Sequence, residues 1–304
     1  MPRRERAGRG RRGKRGAVLS AGLPAADSTA PTPTLSRLHA AGAPSARGLL
    51  LTLLGVFVLP GDGTAWTSAV IAAFTRLGIE EKATRQALMR TAAAGWLRAE
   101  KVGRRARWHL TDAGRRLLTD GAERIYSFTG AAEDWDGHWL LVAARIPDSG
   151  RRARHVVRSR LSWAGFGSLG PGLWISTHPE REAEVTRVLR EAGIAGDAHL
   201  FVATRSGLAP VRAMVSAAWD LAAIEREYEQ FIEEFSGSGR ADAAARLVEL
   251  VHAWRRLVAI DPALPRELLP ARWIGLQAAS LFADRRGRWG AEARIEWKRL
   301  NDIC

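Results

Sequence analysis

The stretch IEEKATRQALMRTAAAGWLRAEKVGRRARWHL, residues 79–110, decides the fold of the first half of this chain. Its apolar residues recur at helical spacing up to residue 94, and Glu80 and Glu81 fall in the first turn, where the helix dipole favours acidic groups. Gly95 ends this pattern, and two β-type runs, residues 96–102 and 106–110, follow around Gly103. The order predicts a helix over residues 79–94 and a β-hairpin directly after it.

The segments on either side extend the pattern in both directions. Ser45 can cap a helix that continues to Leu59, and Thr67 can cap a second helix that Gly78 ends. After the hairpin, Thr111 can cap a fourth helix that continues to about Tyr126. Three helices, a hairpin and a further helix predict a winged helix-turn-helix over residues 44–125.

The predicted helix over residues 79–94 has polar side chains suited to the major groove of DNA. A recognition helix must present groups that reach base edges and phosphates. The candidates are Lys82, Thr84, Arg85, Gln86 and Arg90. Among them the Arg85 guanidinium matches the acceptors of guanine, and the Gln86 amide matches adenine. Lys82 and Arg90 are better suited to phosphates.

The hairpin adds a second group of cations. The candidates are Lys101, Arg104, Arg105 and Arg107. Four cations within seven residues repel one another unless phosphates neutralise them. Trp108 is predicted to pack the hairpin onto the helices and not to stack on a base. A solvated helix surface is the alternative for the helix alone, but the adjoining basic hairpin favours DNA.

The distribution of charge also indicates a polyanionic partner. Of the formal net charge of +14, almost all lies in the first 125 residues. Residues 1–15 hold eight basic residues against one acidic, and residues 45–125 hold 13 against seven, but residues 211–304 balance at 14 each. Residues 1–43, rich in Arg, Gly, Ala, Ser, Thr and Pro, are predicted to form a disordered basic arm.

The remainder of the chain has a different rhythm. Residues 138–205 follow the order β-α-β-β-α-β, which predicts a ferredoxin-like middle domain over residues 126–209 that could pair two copies through its sheet. Residues 210–284 predict a helical C-terminal domain, and residues 285–304 a flexible tail. The fold class is therefore α+β.

Composition argues against several classes of protein. The only cysteine is Cys304, which excludes disulfides and cysteine metal sites and fits a reducing cytoplasm. No run approaches the roughly 20 apolar residues of a membrane span. The seven histidines are scattered, and no phosphate-binding glycine loop is present, so no enzyme, metal or cofactor is predicted.

A site for a small ligand stays open at this point. Tryptophans could line a pocket for an aromatic group, although a single buried Trp is more often a core residue, and arginines could neutralise phosphates. The candidates are Arg151, Arg152, Arg154, Trp163, Trp174, Trp219, Trp254, Arg255, Arg256 and Trp273.

Several motifs, separated along the chain but in order, carry a family resemblance. They are TRQALMR at 84–90 with GWL at 95–97, GRR at 103–105, LTDAG at 110–114, WDGHWLL at 135–141, WAGFGSL at 163–169, and DPALPRELLP at 261–270 with Trp273. With these motifs, residues 45–283 resemble the PaaX family, repressors of phenylacetate catabolic operons. The basic arm and the Arg-rich tail depart from the family pattern.

The resemblance implies a homodimer on a palindromic operator, released by an aryl- or acyl-CoA effector such as phenylacetyl-CoA. It also implies a middle domain similar to a small CRISPR-associated endonuclease, so a metal-dependent nuclease with Asp148 as a ligand is one alternative. An RNA-binding or adaptor protein that uses the winged domain is the other.

Overall fold

The structure is a computed structural model that describes residues 45–131, 135–146, 151–207, 209–237 and 242–302, without the side chains of residues 151–153. The predicted basic arm over residues 1–43 and Asp148 lie outside the described residues. Helices and two antiparallel sheets confirm the α+β class.

The first region alternates helices with a small sheet. Its elements are α1 (Ala46–Leu53), a π-helical segment (Leu54–Val58), β1 (Thr64–Trp66), α2 (Thr67–Arg76), α3 (Glu81–Ala93), β2 (Leu97–Val102), β3 (Arg105–Leu110) and α4 (Asp112–Ser127). The caps predicted at Ser45 and Thr111 are confirmed, because each hydroxyl accepts a hydrogen bond from the backbone N–H three residues on. The cap predicted at Thr67 is wrong. Thr67 is already helical, and its hydroxyl donates to the carbonyl of Ala106 in β3.

Two features of this region were not predicted. The helix from Ser45 widens at its end, where the N–H of Leu59 donates to the carbonyl of Leu54 five residues earlier, 2.8 Å away. Strand β1 pairs antiparallel with β3 and gives the sheet order β1-β3-β2. Three residues are too few for an alternating pattern to reveal a strand.

The middle region contains the predicted order of strands and helices. Its elements are β4 (His138–Ala144), α5 (Arg151–Trp163), β5 (Gly167–Gly170), β6 (Leu173–Ser176), α6 (Glu182–Glu191) and β7 (Ala198–Thr204). The sheet order is β5-β6-β4-β7, with every neighbouring pair antiparallel. Leu140 and Val142 pack with α5 and α6 residues in one core, and Trp139 and Ile175 belong to the core shared with the C-terminal helices.

The last region is helical. Its helices are α7 (Val211–Ala218), α8 (Leu221–Ser236), α9 (Ala243–Ile260) and α10 (Gly275–Asp302). The chain is not helical at Trp219, between α7 and α8, and Asp220 starts α8 by accepting a hydrogen bond from the N–H of Ala223.

The flexible tail predicted over residues 285–304 is wrong for the residues described. Helix α10 continues to Asp302, and Gly290, Ala293 and Trp297 lie on its buried side at helical spacing. The Trp297 ring stacks on Phe57, with 5.4 Å between ring centroids, and Asn301 accepts a hydrogen bond from the N–H of Trp66. Because Gly290 and Ala293 are small and only weakly hydrophobic, hydrophobicity alone does not reveal this buried face. No described helix is long and apolar enough to cross a membrane.

Candidate DNA interface and ligand groove

Helix α3 presents a polar face beside the hairpin. Its buried residues are Thr84, Ala87, Leu88 and Thr91. The turn before it uses Gly78 at a φ of 72°, a conformation that glycine adopts without strain, and the helix packs against α1 and α2. This packing leaves Lys82, Arg85, Gln86, Met89 and Arg90 exposed.

The exposed face of α3 is accessible at low cost to a partner. Met89 is 61% exposed, which is high for a large apolar side chain. The Arg85 guanidinium pairs with Glu81 through Nη2 at 2.7 Å, and both side chains are 58% exposed. Such an exposed pair contributes about 0–1 kcal/mol to stability, so Arg85 can leave it for a nucleic acid at little cost.

Thr84 is the one predicted DNA contact on α3 that is buried in the structure. Its side chain is 0% exposed, and its hydroxyl donates to the carbonyl of Glu80. The prediction placed Thr84 beside the polar face, but the structure places it on the buried side of α3. A buried hydroxyl bonded to its own helix cannot reach a base.

The hairpin of β2 and β3 ends in a two-residue turn. Val102 pairs with Arg105 in the register, so Gly103 and Arg104 form the tip, and Gly103 has a φ of 60°. A Cβ at Gly103 would meet no atom within 4 Å, so the backbone conformation and not the available space favours glycine. Lys101, Arg104 and Arg105 are exposed at this tip.

Arg107 lies in the middle of β3, opposite Glu100, and not at the tip of the hairpin. Its Nη2 donates to Thr64 Oγ1 at 2.9 Å and Asp62 Oδ2 at 3.2 Å, and the guanidinium lies over the Trp66 ring. Burial alone would raise the pKa of Asp62, but hydrogen bonds from Thr64 and the charge of Arg107 lower it. The prediction that grouped Arg107 with the tip cations is therefore corrected, since this side chain joins β3 to β1.

The prediction for Trp108 is confirmed. Its ring is 5% exposed, and its Nε1 donates to the hydroxyl of Thr67 at 2.9 Å. Because Thr67 also donates to the carbonyl of Ala106, the start of α2 is bonded to the hairpin. Helix α3 and the hairpin also share one hydrophobic core, which contains both Leu88 and Trp108.

Of the candidate ligand contacts, three are internal residues. Trp254 is 0% exposed and its Nε1 donates to the carbonyl of Ile125, and Trp273 is buried with its Nε1 on the carbonyl of Gly130. Arg255 is 5% exposed and lies between α9 and α1. The core role favoured for a single buried Trp is confirmed for Trp254 and Trp273, and the five tryptophans do not line one common pocket. Trp163 carries Arg124 over its ring and lines a separate cavity beside α4, and the side chains of Arg151 and Arg152 lie outside the described residues.

Four of the candidates do come together, in a groove between the middle region and the C-terminal helices. Two adjoining cavities, of about 530 and 600 Å³, share Arg158, Ser168 and Trp174. The first cavity is also lined by Trp219 and Arg256. The second is lined by Arg145 and Arg154. The sequence prediction missed Arg145 and Arg158, although Arg158 follows Arg154 by one helical turn on the basic helix already singled out.

The two ends of this groove differ chemically. The three arginines 145, 154 and 158 line one end, and Trp219 and Ile224 line the other. Trp219 is 8% exposed, and its Nε1 has no hydrogen-bond partner among the described residues. The ring lies so close to Gly167 that a Cβ there would be 2.6 Å from it, which explains the glycine in β5. The groove can therefore hold an anionic group at its arginine end. Its other end is mixed, because Asp220, Glu227 and Arg256 also line it.

No group of three or more His, Cys, Asp or Glu residues that could hold a metal ion occurs in the described part of the chain. Asp148, the candidate nuclease ligand, lies outside it. The buried carboxylate of Asp261 is explained by the fold itself. Asp261 has its pKa raised to about 6 by burial, although Tyr228 donates to it at 2.7 Å and the N–H of Ala263 also donates to it.

Comparison with known proteins gives a consistent result. Three family models match: "PaaX-like protein" at residues 45–114, "PaaX protein central Cas2-like domain" at 132–215 and "PaaX-like protein C-terminal domain" at 219–299. The transcriptional repressor PaaX of Escherichia coli (strain K12) is 35% identical over 251 residues, which is 78% of each chain. A solved structure of an uncharacterized protein from Mycobacterium tuberculosis covers 84% of this chain and 99% of its own, with a TM-score of 0.56 and 24% identity. That likeness shows a shared fold.

Proposed function

Because this chain belongs to the PaaX family, we propose that it is a DNA-binding transcriptional repressor that reads its operator with α3 and the β2–β3 hairpin. The main support for the proposal is that two exposed polar surfaces, one on α3 and one on the hairpin, lie on elements that share one hydrophobic core. Helix α3 presents Lys82, Arg85, Gln86 and Arg90, and the hairpin joined to it presents Lys101, Arg104 and Arg105. Residues 44–125 would then be a winged helix-turn-helix, with the hairpin as its wing.

The roles within this surface follow from side-chain chemistry. Arg85 can donate two hydrogen bonds to guanine, and Gln86 can both donate to and accept from adenine. Lys82 and Arg90 flank these two residues and would contact phosphates. The wing cations would add contacts that hold the protein on DNA without reading its sequence.

The family resemblance extends the proposal to assembly and location. The chain would act in the cytoplasm as a homodimer on a palindromic operator of an aromatic-acid, phenylacetate-type catabolic operon. Residues 126–209 would be a ferredoxin-like unit, whose edge strand β7 exposes 53% of Phe201 and of Val202 and so could serve in pairing. Residues 210–302 would complete each subunit as a helical domain.

The groove between the middle region and α8–α9 is a suitable site for the effector that the resemblance implies. An acyl-CoA thioester has phosphates for Arg145, Arg154 and Arg158, and carbonyl oxygens that could accept from Trp219 Nε1. Arg256 on α9 also lines this groove, and α9 packs on α1 of the DNA-reading region. Such an effector would release DNA only if it bound the DNA-free arrangement more tightly.

A binding experiment on the upstream region of the protein's own gene tests the repressor proposal. Arg85→Ala should weaken binding to the operator by roughly 1–3 kcal/mol and relax its sequence preference. Arg104→Ala with Arg105→Ala should weaken binding to every sequence and reduce the slope against log salt by about 0.9 for each phosphate that the variant no longer neutralises. Fluorescence anisotropy over a range of salt concentrations measures both effects.

The exposed Arg226→Ala on α8 is the matched control and should change neither quantity. Equal losses for Arg85→Ala on operator and random DNA would remove the base-reading role. Tighter binding to a structured RNA competitor than to duplex DNA would favour the RNA-binding alternative instead. Adding a panel of acyl-CoA thioesters to the wild-type complex tests the effector.

A further inference from the structure

The separate cavity that Trp163 lines shares no lining residue with the groove. It lies beneath the DNA-reading region, residues 45–125. It has a volume of about 50 Å³, taken as the space open to the centre of a water-sized sphere, and lies between the π-helical segment, α4 and α9. Its walls are mainly apolar, with Leu118, Val251 and Val258 among them. Gly55 and Gly121 have no side chains to fill it, and Gly55 belongs to the widened π-helical turn. π-helical turns of this kind are frequent at functional sites.

Arg255 gives this apolar cavity a buried positive charge. The side chain lines the cavity and is 5% exposed. Its Nη2 donates to the carbonyl of Gly48 at 3.2 Å, but its Nε has no hydrogen-bond partner among the described residues. Burial lowers the pKa of Arg255 to about 10, so the group is still a cation at neutral pH.

The neighbours of Arg255 do not balance this charge. No described carboxylate lies within 4.0 Å of the guanidinium. His252, whose Nδ1 lies 3.4 Å from Arg255 Nη2, has its pKa lowered to about 3 by burial and is neutral. Buried charges in proteins are normally paired with an opposite charge. An apolar cavity with a buried cation that no described carboxylate neutralises therefore matches an apolar molecule with one negative charge.

The other cation on the wall of the cavity is already occupied. Arg124 Nη2 donates to the carbonyl of Trp163 at 2.6 Å, and its guanidinium lies 4.5 Å from the centre of the Trp163 ring. Arg255 lines the cavity without such a ring contact, and its guanidinium is therefore the group that we assign to an anion. Thr52, which also lines the cavity, has its hydroxyl shared between the carbonyl of Gly48 and His252.

We propose that this cavity binds a short-chain monocarboxylic acid, with the carboxylate on the Arg255 guanidinium and the hydrocarbon chain against Leu118, Val251 and Val258. On the same scale of volume a single water needs about 10–15 Å³, so the space corresponds to roughly three to five waters. Propionate and butyrate match this size, and a phenyl ring does not fit without rearrangement. Because the ligand would contact α1, α4 and α9 together, it would stabilise the packing of the DNA-reading region on the C-terminal helices. This site is distinct from the groove proposed for the thioester effector.

Isothermal titration calorimetry on the full chain with sodium butyrate, without DNA, tests the proposal. Binding should be saturable, and butyramide, which has the same shape without the charge, should bind at least about tenfold more weakly because it loses a charge-assisted hydrogen bond. Phenylacetate should bind more weakly than butyrate. No binding of butyrate, or equal binding of butyramide, would overturn the proposal.

Two variants locate the ligand. Arg255→Met should abolish butyrate binding, and Gly55→Ala should weaken it by narrowing the cavity. A Cβ on Gly55 would meet only Leu118 Cδ2, at 3.9 Å, so this variant should fold and be at least as stable as the wild type. A lower butyrate affinity with unchanged or higher thermal stability separates a filled cavity from a damaged fold. Unchanged affinity in Gly55→Ala would contradict the assignment.

A third arm separates this site from the groove. Arg158→Ala should leave butyrate binding unchanged, since Arg158 lines only the groove. If Arg158→Ala removed butyrate binding, or if only butyryl-CoA bound, the ligand would belong to the groove and this proposal would fail. Operator binding is measured separately on the wild type, so a failure here leaves the repressor proposal untouched.

Discussion

Helix α3 and the supporting helices α9 and α10 are all rich in basic residues, but they keep their charges in different surroundings. On α3 the cations Lys82, Arg85 and Arg90 are exposed, because the helix buries a single narrow face against its neighbours. Helix α9 packs against α1, α8 and α10, so Arg255 is only 5% exposed and His252 only 7%. Exposed cations are available to a partner, and buried ones act on the interior of the protein. The count of arginines in a segment does not distinguish the two.

The largest effect expected from this comparison is on α10. Trp297→Ala removes a buried ring stacked on Phe57 and should lower the free energy of unfolding by about 3–5 kcal/mol. Ile295→Ala, two residues earlier and 54% exposed, is the matched control and should change it by less than about 0.5 kcal/mol. Urea unfolding followed by tryptophan fluorescence and by circular dichroism measures both. A flexible tail would predict two small effects, so a small loss for Trp297→Ala would contradict the packing described here.

A smaller effect is expected from the buried imidazole of α9. Burial lowers the pKa of His252 to about 3, and the charges of Arg255 and Arg256 add to the shift. The imidazole is therefore protonated near pH 6.5 in the unfolded chain, but only near pH 3 in the folded protein. Stability from this group is therefore present above pH 6.5 and is lost as the pH falls towards 3. In the variant His252→Gln this loss is absent. The difference in unfolding free energy between wild type and variant should fall by about 2 kcal/mol from pH 7 to pH 5.

The comparison with His252→Gln is needed because another buried group has the opposite sign. The pKa of Asp261 is raised to about 6 by burial, so its contribution increases as the pH falls through 6. Both proteins contain Asp261, and its effect cancels in the difference. Urea unfolding of both proteins at several pH values gives the result. A difference that does not change with pH would mean that His252 takes up protons in the folded state as readily as in the unfolded one.

The sequence predicted the α+β class and most elements because local signals marked them. Ser45 and Thr111 act as caps, Gly78 and Gly103 adopt positive φ, and the fourth helix begins and ends close to its predicted bounds. The β4–β7 order also followed from apolar runs and turn residues. The exposed cations of α3 and the hairpin tip were predicted from spacing alone. Residues that lie between the buried positions of a repeating pattern face outward.

The errors all involve contacts between distant parts of the chain. Thr84 lies one residue before Arg85, and its burial depends on how α3 packs against α1 and α2. Arg107 is bonded to Thr64, 43 residues earlier, through a strand too short to recognise. The tail was predicted to be flexible, but Trp297 is buried against Phe57, and Asn301 is bonded to Trp66, 235 residues earlier. The groove unites α5, β6, α8 and α9, and no local pattern brings these together.

The smallest expected effect concerns the exposed pair on α3. Glu81→Gln removes the ion pair with Arg85, in which both side chains are 58% exposed, and should change stability by less than about 0.5 kcal/mol. It should instead strengthen DNA binding, because it frees Arg85 and removes a negative charge facing phosphates. Glu80→Gln is the matched control, since it removes the same charge one residue earlier on the chain and leaves the Glu81–Arg85 pair intact.

We expect Glu81→Gln to exceed the control by about two- to fivefold in operator affinity, the range of an exposed ion pair. In an Arg85→Ala background this excess should vanish, as a double-mutant cycle requires for residues that act through one another. If Glu81→Gln weakened operator binding instead, the Glu81 carboxylate would orient the Arg85 guanidinium towards its base. The exposed pair would then contribute to DNA recognition and would not compete with it.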